Sequence, residues 1–195
     1  IKFMLGGNFS KYVISPEVYY DSFWNDYTYE ISSKKGFLLG AGIEFNLARN
    51  ISFEIDALYL QKGTKAHKSY SLLEIYVAPR KYTLHVISIP LLLNIKFLSG
   101  SSPYVLGGGE FSFILSHGYT SVLDGRTGDR ISIKEFTQSF DYGLVIGGGF
   151  EVKMEATSFF IEGRYYHGLR NIIKGSIDWE STKITSVALI LGFKI

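Results

Sequence analysis

The chain of 195 residues carries 20 Lys and Arg against 18 Asp and Glu, with 14 Tyr, 15 Phe, 21 Gly and no Cys. A net charge of +2, with the basic residues dispersed, does not point to nucleic acid, and the absence of Cys excludes a disulfide scaffold and thiol chemistry. No apolar run approaches the roughly 20 residues of a membrane-spanning helix, but a barrel strand needs only about 9–11 and leaves a weaker trace.

Neither a Pro/Ser-rich linker nor a low-complexity tract divides the chain, so residues 1–195 are expected to form one domain. The first strand is predicted over 1–14, with Phe3, Leu5, Gly7 and Phe9 on one parity and Lys2, Gly6, Asn8 and Ser10 on the other. A polar and aromatic connection follows over about 15–35. The second strand, 36–47, sets Phe37, Leu39, Ala41, Ile43, Phe45 and Leu47 against Gly40, Gly42, Glu44 and Asn46. After the short turn Ala48-Arg49-Asn50, the third sets Ile51, Phe53, Ile55, Ala57 and Tyr59 against Ser52, Glu54 and Asp56. A second long connection covers about 66–81.

Residues 87–113 show the period of two most plainly. Ile87, Ile89, Leu91, Leu93, Ile95 and Phe97 form an unbroken apolar row beside Ser88, Pro90, Leu92, Asn94 and Lys96. Past the Gly100 turn, Val105, Gly107, Gly109, Phe111 and Phe113 oppose Tyr104, Gly108, Glu110 and Ser112. Alternation of this kind belongs to strands. A third long connection, about 118–137, contains the turn formers Asp124-Gly125 and Thr127-Gly128-Asp129. The sixth strand sets Phe140, Tyr142, Leu144, Ile146, Gly148, Phe150 and Val152 against Asp141, Gly143, Glu151 and Lys153. The seventh opposes Phe159, Ile161, Gly163 and Tyr165 to Glu162 and Arg164. After a connection at about 171–182, the eighth opposes Val187, Leu189, Leu191, Phe193 and Ile195 to Ser186, Ala188, Gly192 and Lys194.

The expected fold is all-β, an eight-stranded antiparallel up-and-down transmembrane barrel. Long and short connections alternate strictly, as they do when all long loops lie on one side of a membrane. Aromatics on the apolar parity gather at two levels. Phe3, Phe45, Phe53, Phe97, Phe150, Phe159 and Phe193 fall near the short turns, and Phe9, Phe37, Tyr59, Phe113, Tyr142 and Tyr165 near the long loops. Such girdles mark two membrane–water interfaces. The apolar row is therefore expected to face lipid, and the charges to face a narrow, filled interior. That interior network is expected to comprise Glu44, Glu54, Asp56, Lys96, Glu110, Asp141, Glu151, Lys153, Glu162 and Arg164, with Lys2 and Lys194. Its core is expected to be Arg164 with Glu162, Asp141 or Glu110.

The quoted residues Ile89-Pro90-Leu91-Leu92-Leu93, Pro103-Tyr104-Val105, Phe140-Asp141-Tyr142-Gly143 and Arg164-Tyr165-Tyr166 resemble small outer-membrane barrels of the PorT-like and OmpX-like kind, found in Bacteroidetes and related Gram-negative bacteria. The ending Leu191-Gly192-Phe193-Lys194-Ile195 is similar to the strand signal read by the barrel-assembly machinery, with an aliphatic residue in the usual final aromatic's place. The resemblance implies an integral outer-membrane protein with any export signal lying outside this sequence. It also implies an accessory place in a secretion or surface-protein assembly (type IX secretion-like).

Gly107-Gly108-Gly109 and Gly147-Gly148-Gly149 lie mid-strand without the Lys-Ser/Thr of a phosphate loop, so close packing in a narrow barrel is the expected role. His67, His85, His117 and His167 fall near the long-loop rim, with Ser88 and Ser116 nearby but no HExxH-like spacing. Catalytic residues, metal and cofactor are expected to be absent, and the chain to be no enzyme. The first long loop holds Tyr19, Tyr20, Phe23, Trp24, Tyr27 and Tyr29 among acids, and Trp179 lies in the fourth. These aromatics either recognise a partner or fold down over the barrel. Expected partners are membrane lipid and lipopolysaccharide, the assembly machinery during biogenesis and a protein bound through the loops, with no nucleic acid. An outer-leaflet lipid-modifying enzyme and a small-solute pore are the alternatives.

Overall fold

A computed structural model describes residues 1–15, 18–20, 26–70, 79–98, 100–123, 126–174 and 181–195. Eight long antiparallel strands run β1 (Lys2–Ser15), β2 (Asp26–Ala48), β3 (Ile51–Tyr70), β4 (Arg80–Lys96), β5 (Ser102–Leu123), β6 (Phe140–Lys153), β7 (Ser158–Gly168) and β8 (Ser181–Lys194). Each pairs with its sequence neighbours, and β1 also pairs with β8, from Lys2↔Lys194 to Ser15↔Ser181. The sheet therefore closes on itself, which removes the unpaired strand edges that an open sheet would expose. Every backbone polar group within the bilayer can then be satisfied between strands.

The period of two becomes an inside and an outside. Along β7 burial alternates at every residue from Ser158 to Tyr166. Outward aliphatics such as Leu5 and Leu39 are each 60% exposed, and Phe3, Phe37, Phe113 and Phe159 stand exposed with them. An apolar belt running round the whole circumference would not persist against water, so it meets hydrocarbon. The chain is an integral outer membrane barrel. Both aromatic levels stand outward: Phe3 stacks on Phe193 at 5.1 Å, and Phe37 lies 5.6 Å from Tyr59. Phe53 and Tyr59 are half-buried, and the other eleven girdle residues are exposed.

Strands on the long-loop side reach further than their alternation indicates. Residues 26–35 belong to β2, Ala66–Tyr70 to β3 and Gly118–Leu123 to β5, where connections were expected. The reason is physical: once a strand clears the bilayer both faces are polar, and the apolar alternation that marks it in sequence fades. β2 and β3 remain paired up to Tyr27↔Tyr70, and β4 and β5 up to Arg80↔Ser121. At about 3.3 Å per residue, eleven residues carry β2 and β3 roughly 35 Å along the strand past Phe37 and Tyr59. In contrast, β6 starts at Phe140 and β7 stops at Gly168, both within three residues of their girdle tyrosines. The barrel thus has a tall wall, β2–β5, and a low wall, β6 and β7. At the opposite end the turns are tight, and Gly100, at φ 98°, takes a left-handed conformation in the one between β4 and β5.

Candidate functional site

The inward row of β3 reads Ser52, Glu54, Asp56, Leu58, Leu60, Lys62, Thr64, Ala66, and every member is buried. It shows how the lumen is filled: a charged stretch near the short turns, an apolar stretch, then polar groups again. Large apolar side chains occupy much of the interior, among them Leu38, Leu58, Leu60, Leu84, Leu92, Val145 and Ile190. The expectation of a small and polar interior misses this apolar filling, because isolated leucines on the charged parity carry little weight in a pattern read strand by strand.

Arg164 on β7 is the centre of the charged stretch and is 1% exposed. Its Nη2 donates to Glu54 at 2.7 Å, its Nη1 to Asp56 at 2.7 Å, and its Nε to Glu162. Lys2 Nζ donates to Glu54 at 2.5 Å and lies 3.6 Å from Glu162, which also accepts the Tyr104 hydroxyl at 2.8 Å. Arg164 is thus shared among three carboxylates, as its fork of five donors allows. Bare backbone makes room: a Cβ at Gly149 would come within 2.7 Å of the Tyr104 hydroxyl, and one at Gly192 would overlap the Phe160 ring.

Nearer the short turns, Lys96 and Lys194 each bridge Glu44 and Glu151, at 3.2, 3.1, 2.6 and 2.7 Å, and Ser52 donates to Glu44 at 2.6 Å. Towards the long loops, Glu110 accepts Lys62 at 3.0 Å and Ser88 at 2.6 Å. Asp141 is buried and accepts the Tyr142 amide at 2.9 Å. Arg164 therefore meets Glu162 as expected, while Glu54 and Asp56 take the places proposed for Asp141 and Glu110. Lys153, expected inside the network, is corrected to an exposed position at the short-turn rim, beside an open recess of about 250 Å³ that Glu44, Lys96, Glu151 and Lys194 also line. Its parity is inward, but the strand has already left the barrel there. Lys62 was overlooked because buried residues 62, 63 and 64 follow one another in β3 and break the alternation. Tyr104 shares the inward parity of Glu110, which was the available signal.

The long-loop mouth is capped. His117, buried on β5, contacts the Tyr12 hydroxyl through Nε2 at 2.7 Å and the Thr137 hydroxyl through Nδ1 at 2.8 Å. Thr137 follows the short 3-10 turn Lys134–Phe136 and forms a bridge with Ile173. The Gln138 amide donates to Ile172 O at 2.7 Å and the Lys174 amide to Phe136 O at 2.8 Å, while the Ile172 side chain is wholly buried. Segments 131–138 and 169–174 thus lie together across the opening. Within this cap, burial and then the Lys174 ammonium pull Lys134 below its ordinary pKa.

The other histidines do not converge on His117. His85 lies outward, 2.5 Å from the Tyr59 hydroxyl, and His167 lies 3.4 Å from that of Tyr165. Among the described residues no three metal-ligating side chains come together. Phe23, Trp24 and Trp179 lie outside the described residues, as do the side chains of Tyr19, Tyr20, Tyr27 and Tyr29.

The profile of the outer membrane protein beta-barrel domain family matches residues 1–174. No curated protein sequence matches the chain. Among solved structures it is similar to the outer membrane protein OprG from Pseudomonas aeruginosa, with 16% identity, 98% of this chain and 93% of that one covered, and a TM-score of 0.49. Neisserial surface protein A is 16% identical, with coverage of 98% and 94% and a TM-score of 0.47. The outer membrane enzyme PagL is 11% identical, with complete coverage of both chains and a TM-score of 0.50. Likeness at these identities is one of fold. It nevertheless corrects one expectation: a fold shared end to end with an outer membrane enzyme gives no ground for excluding catalysis.

Proposed function

Because the chain belongs to the outer membrane protein β-barrel family, we propose that it is a sealed barrel whose work is done on its extracellular side, as an interaction protein with a surface or secreted protein as partner. The observation that carries this reading is the filled and capped lumen. The Arg164 network, the apolar residues above it and the buried Ile172 leave the interior of an eight-stranded barrel to its own side chains. Support also comes from the tall wall of β2–β5, which carries backbone and side chains far beyond what crossing a bilayer requires.

The aromatic residues of the first loop, Tyr19, Tyr20, Phe23, Trp24, Tyr27 and Tyr29, together with Trp179, are the proposed contact residues. Aromatics among polar neighbours supply much of the binding energy at protein interfaces. The resemblance to PorT-like barrels favours an accessory place in a secretion or surface-protein assembly. The test is purification from the native outer membrane in mild detergent, comparing the natural chain with a variant carrying Tyr19→Ser, Phe23→Ser and Trp24→Ser. A protein that co-purifies with the first and is lost with the second is expected. Equal recovery with both, or none with either, would remove the reading.

A further inference from the structure

The outer surface is not uniform just above the upper aromatic level. On five consecutive strands of the closed sheet an outward lysine stands at the long-loop end: Lys183 on β8, Lys11 on β1, Lys35 on β2, Lys65 on β3 and Lys81 on β4. Lys11, Lys35, Lys65 and Lys81 are exposed, and Lys183 is half-exposed. Lys11 and Lys35 each sit two residues beyond a girdle phenylalanine of their own strand, Phe9 and Phe37. Lys35 Nζ lies 5.9 Å from the centre of the Phe9 ring. The remaining strands, β5, β6 and β7, carry no outward Lys or Arg at that end among the described residues. The charge is therefore one-sided.

Lys65 and Lys81 are the telling pair. They face each other directly across β3 and β4, which brings outward Cβ atoms to about 5 Å, and like charges so placed destabilise a sheet. Lys35 comes about 10 Å further along the neighbouring strand. None of these lysines pairs with a carboxylate among the described residues, where the ion pairs all lie inside the barrel. Glu30, further out on β2, faces His67 in the register instead. The surface thus holds a row of uncompensated ammonium groups directly above an apolar belt, at the height where the outer leaflet places its headgroups.

We infer that the Lys35–Lys65–Lys81 face, flanked by Lys11 and Lys183, is a docking surface for the phosphate groups of lipopolysaccharide. Its acyl chains lie along the apolar belt below, and its phosphates supply the counter-charge that the opposed lysines lack. The match is one of charge and of level: an amphiphile with anionic groups at the interface satisfies both halves of the surface at once, which a water-soluble polyanion does not.

The experiment uses the complete barrel in phosphatidylcholine nanodiscs doped with lipopolysaccharide, and reads lipopolysaccharide retained per barrel after exchange into detergent. The natural chain is compared with the triple variant Lys35→Gln, Lys65→Gln, Lys81→Gln. All three side chains point away from the interior, and folding is checked by the gel shift between unheated and boiled samples. Loss of three interfacial lysines is expected to weaken retention roughly a hundredfold, and Lys153→Gln, at the other end of the barrel, is expected to leave it unchanged. Lipopolysaccharide stripped of its phosphates is expected to bind the natural chain no better than the variant. Equal retention by a folded triple variant, or by the dephosphorylated lipid, overturns the assignment. So does capture of soluble inositol hexakisphosphate that depends on the three lysines while lipid retention does not. Because the readout is lipid, the result is independent of whether an extracellular protein partner exists.

Discussion

Arg164 shows what a single residue contributes when it is both charged and out of reach of water. Its guanidinium holds Glu54, Asp56 and Glu162 together. Removing one partner from a buried ionic cluster leaves the others charged, desolvated and unpaired, at a cost of about 3–5 kcal/mol. Arg164→Leu is therefore expected to lower barrel stability by that amount in urea unfolding from micelles. Arg164→Lys should lose less, because an ammonium keeps the charge but cannot reach three carboxylates in one plane. A Leu variant as stable as the natural chain would mean that the cluster is maintained by other groups. The inward position of Arg164 could be read from its parity, since Tyr165 and Ile161 beside it are apolar. Its partners could not be read: Glu54 and Asp56 are 110 and 108 residues away in sequence, and only the closing register brings β3 across the lumen to β7.

At the scale of elements, the cap is held by few contacts. His117 joins Tyr12 of β1 to Thr137 of the third connection, and backbone bonds tie that connection to residues 172–174. Few contacts imply a low local opening energy compared with the strands beneath. Thr137→Val, which removes the hydroxyl but keeps the shape, is expected to raise hydrogen exchange in 131–138 and 169–174 at least severalfold, while the amides of β6 and β7 stay protected. Unchanged exchange in both segments would show that the hydroxyl does not fasten the cap. The cap was not foreseen because its residues look like a polar loop with turn formers, and only burial marks Ile172 as a plug. The strand cores were legible for the opposite reason: inside a bilayer one face must be apolar at every second residue, and that demand is written into the chain. Where β2, β3 and β5 rise clear of lipid the demand lapses, and their upper halves passed as connections.

For the whole molecule, a closed sheet with its lumen filled along its length predicts that the natural chain carries no steady ionic current in a planar bilayer. A reproducible open state with linear conductance would show that the interior side chains move aside. The sequence by itself determined that the chain is an eight-stranded barrel, which face meets lipid and where the two interfaces lie. These follow from alternation and from the positions of the aromatics, both local properties imposed by the solvent. Only the tertiary structure decided which buried acids share Arg164, that leucines seal the middle, that loop segments close the mouth and that lysines line one side of the rim. Those depend on register and closure, which place side by side residues that the chain keeps far apart.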